Sequence, residues 1–308
     1  MVSRSPQMVR TIKEAVIIGC GSMGERHGKY LVDQGLKIKA FADPLLAGSD
    51  KPYLYADAAE CLHENADGRL VVITSPSYLH AEHAIEAIYS GARALFIEKP
   101  VTVNDADAYH LQELADTHQV KIVVGFNFRF HGGLNNLVDS LITPHFWMTA
   151  VGIDDITTWP SYKNLGKDSY LNTDTGGMLW TSGSHAVDIA LFVHGEIGEV
   201  LVGEDAQGLA LIQRLHHIGG GVSVLYNKWE EGRDPTSILT YVSPADSIVV
   251  DMLSRQSTDM HKQLMFNALE YYNKDVLHPN LPTLSDAIHG VNVLLAAEES
   301  MRTKGPVT

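Results

Sequence analysis

The chain has 308 residues, of which 45% are hydrophobic and 19% charged, and a formal net charge of −14. Such a composition buries a core and excludes a disordered chain, and the acidic balance argues against a nucleic-acid-binding face or attraction to a membrane surface. Its two cysteines, Cys20 and Cys61, give no disulfide framework and no metal-ligand spacing, and no apolar run approaches the roughly eighteen residues that cross a bilayer, so a cytoplasmic protein without a metal site is expected.

The first residues, 1–13, are polar and basic with no apolar stretch behind them, and read as a loose leader before the first strand. Short apolar runs at 14–19, 37–42, 69–74, 93–97 and 120–124 then alternate with helical patterns at 23–34, 56–63, 78–90 and 104–118. Fully apolar strands separated by helices predict a parallel sheet covered on both faces, in a doubly wound nucleotide-binding (Rossmann) arrangement. The rhythm changes near residue 127. A helix is expected at 177–194, strands at 199–206, 208–216, 221–229, 237–243 and 246–252, and two closing helices at 260–273 and 284–303. The fold class is therefore α/β: a dinucleotide-binding domain over 1–127 and an α+β domain over 128–308 with an open, mostly antiparallel sheet.

The first strand ends in Gly19-Cys20-Gly21-Ser22-Met23-Gly24, a G-x-G-x-x-G between strand and helix. Gly19 permits the tight turn, Gly21 lets a pyrophosphate approach the backbone, and Gly24 lets the helix pack against the strand. The phosphates would rest on the N–H groups of the helix N-terminus, around Ser22 and Met23. Asp43 ends the second strand, where a carboxylate accepts from an adenosine ribose and repels a 2′-phosphate, so NAD is expected in preference to NADP. The fourth strand runs into Glu98-Lys99-Pro100. Ligands bind at such carboxyl ends, and a lysine there can donate to a hydroxyl or a developing alkoxide.

These features, with Thr74-Ser75-Pro76, His80, Gly125-Phe126-Asn127, Arg129-Phe130, Gly176-Gly177, Gly183, His185 and Asp188, resemble the Gfo/Idh/MocA oxidoreductases. The resemblance runs over nearly the whole chain. It implies that Gly19, Gly21, Gly24 and Asp43 hold the adenosine diphosphate half of the cofactor, with Thr74, Ser75 and Pro76 lining it. It further implies Glu98 on the nicotinamide ribose, Pro100 as a cis proline, Asn127 near the nicotinamide and Lys99 on the reacting oxygen. His80 reads equally as a cofactor neighbour or as a helix-start residue.

Many members of that family carry D-x-G-x-H on the helix before the second sheet. Here the aspartate position is Thr181, while Gly183 and His185 remain. A threonine supplies a hydrogen bond but no full charge, so His185 would be a weaker base than in the Asp form. Three outcomes fit: Lys99 and His185 act alone, another acid from the preceding loop substitutes, or NAD is bound without turnover. A histidine packed at a domain interface is the alternative for His185. The loop itself, residues 154–174, offers Trp159, Tyr162, Lys163 and Tyr170 as substrate contacts beside Arg129, Thr181 and His185. His27 reads as packing and His216-His217 as a hairpin end. The expected activity is hydride transfer between NAD and a hydroxyl or carbonyl of a sugar, polyol, sugar phosphate or nucleotide sugar. A silent NAD-binding regulator and an NAD-dependent glycosidase are the alternatives. The open sheet face suggests a homodimer or homotetramer.

Overall fold

A computed structural model of the chain describes residues 11–46, 48, 52–140, 147–159, 177–243, 247–254 and 259–308. In the first half, β1 (Glu14–Ile18), α1 (Ser22–Asp33), β2 (Lys37–Ala42), β3 (Leu54–Tyr55), α2 (Ala58–Asn65) and β4 (Leu70–Ile73) are followed by α3 (His80–Tyr89), β5 (Ala94–Ile97), α4 (Asp105–His118) and β6 (Lys121–Val124). The strands pair in parallel in the order β3-β2-β1-β4-β5-β6. Every residue of β4 and β5 is buried, as a strand covered on both faces requires. The strand order reverses between β1 and β4, and the crevice of a doubly wound sheet opens there.

The second half contains α5 (Gly132–Ser140), β7 (Trp147–Asp154), a π-helical turn (Leu179–Gly183) running into α6 (Ser184–His194), and then β8 (Ile197–Glu204), β9 (Ala210–His217), β10 (Val222–Trp229), β11 (Thr236–Val242) and β12 (Ser247–Asp251). The chain closes with α7 (Met260–Lys274) and α8 (Leu284–Thr303). The second sheet runs β12-β11-β7-β10-β9-β8. All its pairs are antiparallel except β7 with β10, which is parallel, so the sheet is mixed. Alternate residues of β9 and β10 are buried, giving the sheet one core face and one more open face.

Helix α7, expected with the second sheet, instead covers the first. Its Leu264, Met265, Ala268 and Leu269 share a core with Ile17, Val72 and Phe96. The Tyr272 hydroxyl donates to the Leu95 carbonyl at 2.6 Å, and the Val124 N–H donates to the Pro282 carbonyl at 3.0 Å. Helix α8 packs against both α4 and β8. The chain therefore crosses between its two sheets three times, and one continuous apolar core joins them.

Candidate active site

The glycine turn after β1 has the shape its sequence predicts. Gly19 has φ +88°, and a Cβ there would lie 2.6 Å from Thr74 and Ser75 backbone atoms. A Cβ on Gly24 would lie 2.0 Å from the Gly19 carbonyl oxygen. On Gly21 a Cβ would meet nothing within 4 Å, and no side chain caps α1 there. The N–H groups at this helix start, with exposed Ser22 and half-buried Met23 beside them, therefore face open space, as a diphosphate cradle requires. The Asp43 carboxylate borders the turn, accepting from the Cys20 N–H at 2.7 Å and the Leu45 N–H at 2.9 Å. The Thr74 hydroxyl donates to the Gly19 carbonyl at 2.7 Å and bolts β4 to the turn. The donor and acceptor set thus fits a dinucleotide.

Next in the crevice, the Lys99-Pro100 peptide bond is cis. His80 is 1% exposed, with its Nδ1 2.7 Å from the Pro100 carbonyl and its Nε2 2.8 Å from the Ser75 carbonyl. Both ring nitrogens are spent on backbone. Of the two readings of His80, the helix-start one fits: it opens α3 and ties the Ser75-Pro76 loop to the cis-proline loop, with no ring nitrogen left for a cofactor. The Ser75 hydroxyl lies 2.9 Å from His83 Nδ1. Asn127 is buried at the end of β6.

Glu98 accepts from His27 Nε2 at 2.7 Å. Burial opposes its charge, but the His27 hydrogen bond and the nearby Lys99 charge hold its carboxyl below the usual range. A Cβ on Gly125 would come within 2.8 Å of that carboxylate, so glycine at 125 makes room for it. His27, read as packing, thus orients Glu98 from α1, and His261 at the start of α7 stands 6.2 Å away, ring to ring. Burial pulls His261 down to about 4.

Lys99 crosses to the other half of the molecule, its Nζ donating to the Thr181 carbonyl at 2.8 Å. Burial pulls its pKa below the ordinary ammonium value, against the pull of Glu98 and Asp154. The π turn that presents Thr181 is held on two sides. The buried Trp180 indole donates to Glu298 at 2.6 Å, and the Trp229 indole donates to the Ser182 hydroxyl at 3.0 Å. Thr181 therefore meets Lys99 through its backbone oxygen, where a side-chain role was expected.

His185 lies one turn on, its ring edge-on to Phe126 and Phe128 with centroids 6.1 and 4.9 Å away. Its Nδ1 is buried and has no hydrogen-bond partner among the described residues. Burial, with the Lys99 charge adding to it, holds the imidazole well below its usual range and keeps it neutral. Neither Thr181 nor Asp188 orients it. Asp188 is taken by Arg129, whose Nε and Nη2 donate to one carboxylate oxygen at 3.0 and 2.7 Å. Arg129 was expected on substrate. It is 4% exposed and committed to Asp188, with Asp286 3.5 Å from its remaining nitrogen, so it is a structural ion pair. Trp159, expected as a substrate contact, is half-buried and packs against the apolar core. Tyr162, Lys163 and Tyr170 lie outside the described residues. Among the described residues no group of three metal-binding side chains occurs, and no helix is long and apolar enough to cross a membrane.

The glycine cradle, Asp43 and the Glu98-Lys99-Pro100 corner occupy one stretch of chain, and residues 13–126 match the oxidoreductase family with the NAD-binding Rossmann fold known as Gfo/Idh/MocA. Over these residues the chain carries the NAD-binding Rossmann fold of that oxidoreductase family. Among curated relatives, inositol 2-dehydrogenase of Rhizobium meliloti is 28% identical over 198 residues, 58% of this chain and 54% of that one. Glucose-6-phosphate 3-dehydrogenase of Bacillus subtilis is 24% identical over 193 residues, 59% of this chain and 48% of that one. The chain thus spans about half the length of these two relatives. The likeness in fold extends over nearly the whole chain. Scyllo-inositol dehydrogenase of Lactobacillus casei, solved with NAD(H) and scyllo-inositol, superposes with a TM-score of 0.81 at 16% identity, over 97% of this chain and 99% of that one.

Proposed function

We propose that this chain is an NAD-dependent dehydrogenase or reductase acting on a secondary hydroxyl or carbonyl of a polyol, sugar, sugar phosphate or nucleotide sugar. The observation that carries this reading is the Lys99 ammonium, aimed out of the cofactor crevice onto the Thr181 carbonyl beside a neutral His185. Gly19, Gly21, Ser22, Met23, Gly24 and Asp43 would hold the adenosine diphosphate half of NAD, and Thr74 to Pro76, Glu98 and Asn127 the nicotinamide side. Asp43 favours NAD over NADP by repelling a 2′-phosphate. The bound cofactor supplies the hydride acceptor or donor. The chain's own residues handle the oxygen. Lys99 exchanges its bond to the Thr181 carbonyl for one to the substrate oxygen and stabilises its negative charge. His185, neutral at working pH, takes the hydroxyl proton in oxidation and is restored by solvent. The two halves of the molecule hold carbon against nicotinamide, and that positioning supplies much of the rate.

The relatives' names support inositols and glucose 6-phosphate as first probes. Calorimetry with NAD and NADP tests the cofactor, with tighter NAD binding expected. NADH formation from myo-inositol, scyllo-inositol and glucose 6-phosphate, compared with Lys99→Ala, tests the chemistry. NAD binding without turnover by the wild type on these or a wider polyol panel would favour the regulator reading. Exposed Trp147, Ile212, Ile238, Val242 and Val249 lie on the outer face of the second sheet. They support a homodimer or homotetramer formed through that face.

A further inference from the structure

The carboxyl end of β7 brings an acid to the point where Lys99 and the π turn meet. Strands β7 and β10 are parallel, with Asp154 opposite Trp229. The Trp229 indole holds Ser182, and the next residue back, Thr181, takes the Lys99 ammonium on its carbonyl. Asp154 is fixed in place by its backbone, its carbonyl accepting from the Glu230 N–H at 3.0 Å. Its neighbour Asp155 is fully spent. That carboxylate accepts from the Thr157 N–H and hydroxyl and from the Gly232 N–H. The Asp154 carboxylate has no hydrogen bond or ion-pair contact among the described residues.

We propose that Asp154 supplies, from the end of β7, the negative charge that the D-x-G-x-H pattern places at position 181, and that it acts as the counter-charge that keeps Lys99 protonated and aimed at the reacting oxygen. The inference rests on the reading of this site as a dehydrogenase centre. Asp154 acts through Lys99 and is therefore a positioning residue. The charges bear this out. Burial pushes the Asp154 carboxyl up, and Lys99 is the group that pulls it back. Of the titratable groups around Lys99, Glu98 is already engaged by His27, and His185 is neutral. Among the described residues, Asp154 is left as the carboxylate near Lys99 with no hydrogen bond. A threonine at 181 then follows from the design, because an aspartate there would place a third carboxylate around one ammonium and raise the charge-burial cost.

The test is the titration of the Lys99 ammonium in full-length protein, followed by NMR of isotope-labelled lysine and assigned with Lys99→Arg. Asp154→Asn should lower the Lys99 pKa by about one unit or more. Adding Thr181→Asp to Asp154→Asn should return it toward the wild-type value, and Asp154→Glu should leave it close to wild type. Asp155→Asn, which removes only loop hydrogen bonds, should reduce stability and leave Lys99 unmoved. An unchanged Lys99 titration in Asp154→Asn, or no recovery on adding Thr181→Asp, would overturn the proposal. Once a substrate is found, NADH formation should fall about a hundredfold in Asp154→Asn and recover with Thr181→Asp. A shifted Lys99 in a protein that oxidises nothing would leave the charge pairing standing and defeat the dehydrogenase reading instead.

Discussion

One methyl group separates two uses of glycine in the cofactor turn. At Gly24 a Cβ would lie 2.0 Å from the Gly19 carbonyl and 2.9 Å from the Thr74 hydroxyl. Gly24→Ala should therefore destabilise the fold by about 1–3 kcal/mol, measured as a lower urea midpoint. At Gly21 the same methyl meets nothing in the protein. Gly21→Ala should leave the urea midpoint within about 0.5 kcal/mol of wild type and weaken NAD binding about tenfold or more by calorimetry. Equal stability loss in both variants would contradict this assignment of the turn. Arg129 is a different case. Sequence places it beside the cofactor corner but cannot show that Asp188, on another element, occupies it. Arg129→Met would strand a buried carboxylate, and a loss of about 3–5 kcal/mol in denaturant melts is expected. His185 was legible as a site residue, but its neutrality comes from burial and from Lys99, which no local spacing reveals. Activity in the oxidising direction should show no His185-dependent inflection near about 6.5, the ordinary imidazole value. An inflection there that disappears in His185→Gln would show that the imidazole titrates as an exposed one does.

Elements differ in how plainly the sequence declares them. The first sheet was legible because its strands are short apolar blocks between helices, with glycine, aspartate and proline at their ends. Strand β7 was not. It carries Gly152 at mid-strand, a weak strand residue, and its burial alternates only loosely. A Cβ at Gly152 would lie 3.0 Å from the Asn227 amide, so the glycine answers to the neighbouring strand and to nothing in its own sequence. Missing β7 also hid Asp154, since a strand end cannot be read from an unread strand. The π turn escaped for a related reason. Its periodicity is helical, and it is held by its own Trp180 reaching out to Glu298 and by Trp229 and Lys99 reaching in from elsewhere. Helix α8, in contrast, announces its own start. Thr283 accepts from the Asp286 N–H, and Asp286 accepts from the Thr283 N–H, in a closed capping box. Thr283→Ala should cost about 1 kcal/mol, read as a small drop in thermal midpoint with NAD binding unchanged.

Across the whole molecule, buried neutral histidines couple stability to pH. Burial holds His83, His194 and His261 each at about 4. In the unfolded chain they titrate near about 6.5, so between these values the unfolded state binds protons that the native state refuses. Their contribution is complete above about pH 6.5 and is lost as pH falls toward about 4. Urea midpoints should therefore fall steadily over that interval, before the ordinary carboxylate range is reached. A flat profile there would show that these rings are more solvated than their packing indicates. The same architecture, in which the last two helices return to the first sheet, makes the two halves unfold together, and a single transition is expected.

The proposed function makes the crevice between the two sheets a hydride-transfer site built on Lys99. It is tested most directly by mixing the protein and NAD with inositols and sugar phosphates and following NADH absorbance, wild type against Lys99→Ala. NADH is expected from at least one polyol with the wild type, and at least about a hundredfold less with Lys99→Ala, at equal NAD affinity. Equal rates from the two proteins would contradict it.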